Sequence, residues 1–152
     1  MIRPGTTLSL QEIQMAQHQV HVVREYTLPV ETLFAALADH NNLSKVLGIP
    51  VKRVRDGKTE ANGVGSVRKL GIGPLGVEET VTGLAPNRSI QYRVSKGGAP
   101  IRNHSGELTF SKTATGSRVE WNIGFDCAVP VVGSVVKLVL TKAIGLGLTR
   151  IG

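Results

Sequence analysis

The strongest constraint in this chain is the even punctuation of its middle. Between Val51 and Ala128, turn-forming clusters recur at DGKTEANG, GIGPLG, APNR, KGGAP and TATGS, separated by short runs rich in β-branched and aromatic residues. The runs are VKRVR, GSVRKL, GVEETVTGL, SIQYRVS, NHSGELTFSK and SRVEWNIGFDC. This pattern predicts a meander of antiparallel strands. A further strand, VHVVREY, precedes it from Val20, so the reading is a seven-stranded sheet.

Neighbouring side chains on a strand point to opposite faces, so alternation assigns each residue a side. In SRVEWNIGFD the inner set is Val119, Trp121, Ile123 and Phe125, while Glu120, Asn122, Gly124 and Asp126 are expected to face water. The same test points Ile90, Tyr92 and Val94 inward, and Leu108 with Phe110. One face of the sheet is therefore dry and needs a cover. Residues 131–151, following Pro130, supply it as a long helix whose polar stripe is narrow: Ser134, Lys137, Thr141, Lys142 and Thr149. The helix is long enough for a membrane span, but two central lysines argue against integral membrane association. Gly145 and Gly147 imply close backbone packing, a bend or an early end.

After the first strand, VETLFAALADH places Leu33, Phe34, Leu37 and Ala38 on one helical face, and NNLSKVLG adds a second short helix stopped by Gly48 and Pro50. The class is thus α+β. A chain of 152 residues fits one domain, read as residues 20–152. Residues 1–19 form a polar, Gln-rich N-terminal extension in which Ser9 and Glu12 are spaced as a capping box.

Lys and Arg outnumber Asp and Glu by 18 to 11, a net charge of +7 that favours anionic contacts. The cations are scattered apart from Lys52, Arg53, Arg55 and Lys58, and no recognition motif accompanies them, so nucleic acid is not an expected partner. A lone Cys127 excludes an internal disulfide and suits a cytoplasmic setting; it reads as a small buried side chain. The N-terminal segment lacks the apolar core of a signal peptide. Gly71, Gly73 and Gly76 match a dinucleotide-site spacing, but Pro74 and a following strand make the segment a hairpin loop. His18 and His21 have no convincing further ligand, so neither a metal nor a cofactor is expected.

The hairpin around GIGPLG carries the sharpest local prediction. Pairing Leu70 with Val77 sets Arg68 opposite Glu79 and Ser66 opposite Val81, which turns both charges inward as a pair. A slip of one residue would send both to solvent. If they point inward, Arg68 can meet a carboxylate or enolate oxygen, Tyr92 can offer its hydroxyl, and Trp121 can stack on a flat ligand. Core packing is the alternative for Tyr92 and Trp121. His104 begins the series with Gly106, Leu108 and Phe110, and either reaches the interior as an acid or base or sits exposed at a strand end.

The segments PVETLFAALADHNNLSKVLG, GVGSVRKLG, VEETVTGLAPNRSIQYRVSKGGAP and GELTFSKTATGSRVEWNIGFD, taken in order, resemble the START-like helix-grip superfamily and its polyketide cyclase/dehydrase branch. The resemblance spans about residues 20–150 and implies a curved sheet gripping the last helix around a lipophilic pocket. It also implies that an arginine at the strand position of Arg68 helps to hold or polarise substrate, as in aromatic polyketide cyclases. Val46 departs from the aromatic common in relatives, which implies a reshaped cavity mouth.

The expected function is binding of a small hydrophobic molecule by Arg68, Leu70, Glu79, Tyr92, Leu108, Phe110, Trp121, Ile123 and Phe125. One alternative is a cyclase or dehydratase using Arg68 with Tyr92 or His104. Another is an interaction module with a basic surface. A homodimer is compatible with all three.

Overall fold

The computed structural model of the chain describes residues 8–152. The elements are α1 (Leu8–Met15), β1 (His18–Tyr26), α2 (Val30–Ala38), α3 (His40–Leu47), β2 (Val51–Arg55), β3 (Val67–Leu70), β4 (Val77–Ala85), β5 (Ser89–Lys96), β6 (Ile101–Lys112), β7 (Ser117–Cys127) and α4 (Pro130–Leu148). The strands form one antiparallel sheet of seven in the order β1-β7-β6-β5-β4-β3-β2. Hairpins join β2 through β7, whereas β1 pairs with β7 at the far edge, Val20 facing Ile123. The segment α2–α3 therefore crosses from one edge of the sheet to the other. This is the helix-grip arrangement.

Local chemistry explains the crossing. Pro29 precedes α2, whose Leu33 and Leu37 are fully buried. Asp39 ends α2 and caps α3 by accepting from the Asn41 amide at 2.9 Å. Gly48, at φ 71°, closes α3 in the left-handed region.

The inner face follows the alternation, with Val119, Trp121, Ile123 and Phe125 all buried. The outer face departs from it. Gly124, expected to face water, is buried beneath α1, because its missing side chain lets the backbone of Ile13 lie against the strand. Ser105 and Glu107 are buried too. Helix α1 starts at Leu8, so Ser9 lies inside it rather than ahead of it as a cap; the Ser9 side chain is outside the described residues.

Helix α4 is shorter than expected and less covered. Gly133, Val136, Leu140, Ile144, Gly147 and Leu148 recur at helical spacing on its packed side. Val131, Val135, Leu138, Val139 and Leu146 are each more than half exposed, so water meets an apolar flank as well as the polar stripe. By length and composition α4 also matches a bilayer-crossing helix.

Two close approaches fix where α4 lies. A methyl group on Gly133 would run into the His18 imidazole of β1, and one on Gly147 into the Val46 carbonyl of α3. Gly145 has open space around it, so close packing is the reason for Gly147 alone. Tyr26 Oη donates to the Leu148 carbonyl at 2.6 Å, and Arg150 Nη1 to that of Val46 at 2.7 Å, tying down the C-terminal end.

Candidate functional site

Between these two supports α4 spans a hollow of about 240 Å³. Its floor is the sheet, with Arg68 and Leu70 from β3, Glu79 from β4, Tyr92 from β5, His104 from β6, and Trp121 and Ile123 from β7. Its roof is Leu43 and Leu47 of α3, Ile49 after it, and Val139, Leu140, Ala143 and Ile144 of α4. A dry cavity of ~150 Å³ already accepts benzene, so this hollow is large enough for a small fused-ring molecule. Val139 and Ile49 are both partly exposed and both line the hollow, which places its mouth between α3 and α4.

The floor carries one ion pair. Arg68 stands opposite Glu79 in the β3–β4 register, with Leu70 opposite Val77 as the hairpin pattern predicts. Arg68 Nε donates to Glu79 Oε1 at 2.9 Å and Nη2 reaches the same oxygen at 2.9 Å, with both residues buried. The guanidinium carbon lies 4.9 Å from the Tyr92 ring centroid, a cation–π contact that adds to the pairing. Two desolvated charges persist in such surroundings because each neutralises the other.

Tyr92 is held across the floor by a neighbour without a side chain. It faces Gly106 in the β5–β6 register, and a methyl group there would overlap the phenol ring. Its Oη accepts from Trp121 Nε1 at 2.9 Å. Burial, reinforced by the Glu79 carboxylate, raises its pKa, so the phenol keeps its proton.

His104 reaches the interior through a bulge. Arg102 pairs with Asp126 and Ser105 with Gly124, which leaves Asn103 and His104 together facing Phe125. Asn103 takes φ 54° and donates from Nδ2 to Asp126 Oδ2 at 2.9 Å, fixing the distortion. The His104 ring tilts against Tyr92 and Phe125, centroids 6.4 and 6.1 Å away, and its buried Nε2 has no hydrogen-bond partner among the described residues. Burial lowers its pKa against the opposing pull of Glu79, so the ring is neutral at pH 7. His104 also borders an open outer depression of about 510 Å³ with Glu12, Arg93 and Asp126. That depression is polar and lies away from the ion pair.

Of the residues expected to meet ligand, Arg68, Leu70, Glu79, Tyr92, Trp121 and Ile123 line the hollow. Leu108, Phe110 and Phe125 do not; they are packed into the solid core instead. Phe110 meets Phe34 of α2 edge-on at 5.2 Å, and Phe125 stacks on His18 at 5.1 Å. Leu108 lies between Ile90 and Trp121 in the sheet register. Val46 is also buried away from the hollow and does not shape its mouth. Sequence reading missed the entire helical roof. Its residues stand out as apolar, but apolarity alone does not say which of them face empty space.

The chain matches the family described as polyketide cyclase / dehydrase and lipid transport over residues 17–151. No curated protein matches it. Among solved structures it is similar to the protein XoxI from Bacillus cereus, with 16% identity and a TM-score of 0.70 over 89% of this chain and 93% of that one. It is similar to a Nitrosospira multiformis protein at 19% identity and a TM-score of 0.69, covering 88% and 96% of the two chains. It is also similar to Ara h 8.0201 at 20% identity and a TM-score of 0.61, covering 87% and 98%. These likenesses concern the fold, while the sequence match spans nearly the whole chain: the protein belongs to the polyketide cyclase / dehydrase and lipid transport family.

Proposed function

We propose that the chain binds a small hydrophobic molecule in the hollow between the sheet and α4, within a ligand-binding unit of residues 20–152. The observation that carries this reading is the hollow itself. An interior at ordinary packing density leaves no such space beneath a core helix, and the lining here is apolar except for a few convergent polar groups. Catalysis asks more of the same residues. Arg68 is already engaged by Glu79, Tyr92 is held protonated, and burial disfavours protonation of His104, so none of the three is set to exchange a proton readily near neutral pH.

The test uses native mass spectrometry and the fluorescence of phenylnaphthylamine, an uncharged aromatic probe. Freshly purified protein is expected to take up one probe molecule. Leu140→Trp, which puts a larger ring into the roof, is expected to abolish uptake while preserving the circular dichroism spectrum. Equal uptake by both proteins would place the bound probe elsewhere and reject the proposal.

A further inference from the structure

The ion pair constrains the kind of molecule the hollow accepts. A free buried arginine would attract carboxylates, but both guanidinium contacts of Arg68 end on Glu79 Oε1 at 2.9 Å. Arg68 and Glu79 are the formally charged residues among those lining the hollow, and His104 beside them is neutral. The floor is thus electroneutral. An entering carboxylate would have to be desolvated without a free counter-charge and would lie against Glu79, and both effects oppose binding.

Outside the ion pair, two polar atoms are left for recognition. The bond from Trp121 Nε1 uses a lone pair of the Tyr92 oxygen, so the phenolic hydrogen remains available as a donor. The Nε2 of His104 has no partner among the described residues. A ligand carbonyl can accept from Tyr92 Oη, and a ligand hydroxyl can accept from Tyr92 Oη or meet His104 Nε2, in each case without bringing in charge.

We propose that the hollow selects an uncharged ligand with a compact ring body and one carbonyl or hydroxyl oxygen, discriminating against the matching carboxylate; this rests on the binding reading above. Arg68 and Glu79 then serve as a neutral polar floor and not as a hook for an anion. The proposal departs from the sequence-based expectation that Arg68 meets a carboxylate or enolate.

The experiment is displacement of phenylnaphthylamine by naphthalene, acetylnaphthalene and naphthoate, which share one ring system and differ in their polar group. Wild-type protein is expected to bind acetylnaphthalene most tightly and naphthoate at least about tenfold more weakly, a consequence of the uncompensated charge. Tyr92→Phe is expected to bring acetylnaphthalene to within about twofold of naphthalene, since the donor is gone. Glu79→Gln, which frees the guanidinium, is expected to reverse the order and favour naphthoate. Should that variant fail to fold, the wild-type ratio decides alone. Naphthoate binding wild-type protein as tightly as the ketone would overturn the selectivity while leaving cavity binding intact. No uptake of the fluorescent probe or any competitor would overturn cavity binding and the selectivity with it.

Discussion

Beneath α2 the inner face of the sheet is filled, and beneath the middle of α4 it is not. Both regions use the same alternating strands and buried aromatics. Under α2, Leu33 and Leu37 descend into the sheet and Phe34 meets Phe110, leaving solid core. Under α4, the roof residues stand over Arg68, Glu79, Tyr92 and Trp121 with space between. The filled region is held by shape alone, whereas the hollow one is held by charge compensation and hydrogen bonds at its floor.

The comparison is sharpest under substitution. Leu33→Ala is expected to cost about 2–5 kcal/mol by opening a cavity in tight packing, and Arg68→Ala about 3–5 kcal/mol by stranding the Glu79 carboxylate. The double change Arg68→Leu with Glu79→Leu is expected to recover most of that loss, because two apolar side chains remove both buried charges together. Urea denaturation of the three variants checks this. A double variant as unstable as Arg68→Ala would show that the floor is held by packing, like the region under α2.

Acid provides a second, smaller contrast. His40 is fully buried at the start of α3 with neither ring nitrogen bonded among the described residues, and burial, together with Arg68 and Arg53, lowers its pKa from 6.5 to about 4. His104 is shifted in the same direction. Between pH 6.5 and about 4 the unfolded chain binds a proton that the folded chain refuses, so this stability is complete above pH 6.5 and declines as pH falls. For His40 the loss is on the order of 2 kcal/mol once screening is allowed for. Urea midpoints measured across this range are expected to drop toward acid, with a shallower slope for His40→Leu. An unchanged slope would remove His40 from the account.

The smallest effect belongs to the tie at the end of α4. Tyr26→Phe removes the 2.6 Å bond to the Leu148 carbonyl and is expected to cost about 1 kcal/mol in thermal unfolding. A loss of stability well above that would mean that the tie governs the seating of the whole helix.

How much of this was legible in the sequence depended on the range of the interaction. The β3–β4 hairpin is local: a short loop and strict alternation fix Arg68 against Glu79, and the structure has that register. The seven strands were readable for the same reason. The bulge at Asn103 was not, because a two-for-one mismatch depends on the partner strand, and NHSGELTF reads as continuous alternation. Leu108, Phe110 and Phe125 satisfied the inner-face test but lie in filled core, since alternation gives the face and not what stands above each part of it. The burial of Gly124 under α1 was likewise invisible to a rule that treats a glycine in a polar series as solvent-facing.

The glycines at either end of α4 make the helix a beam on two bearings. Gly133 seats it on β1 and Gly147 on α3, and the unsupported span between them is the ceiling of the hollow. The headroom is thus set at the bearings and not by the residues beneath the span. A methyl added at Gly147 would press on the α3 backbone and lift that end of the beam, so the height of the hollow can change without altering any residue that lines it.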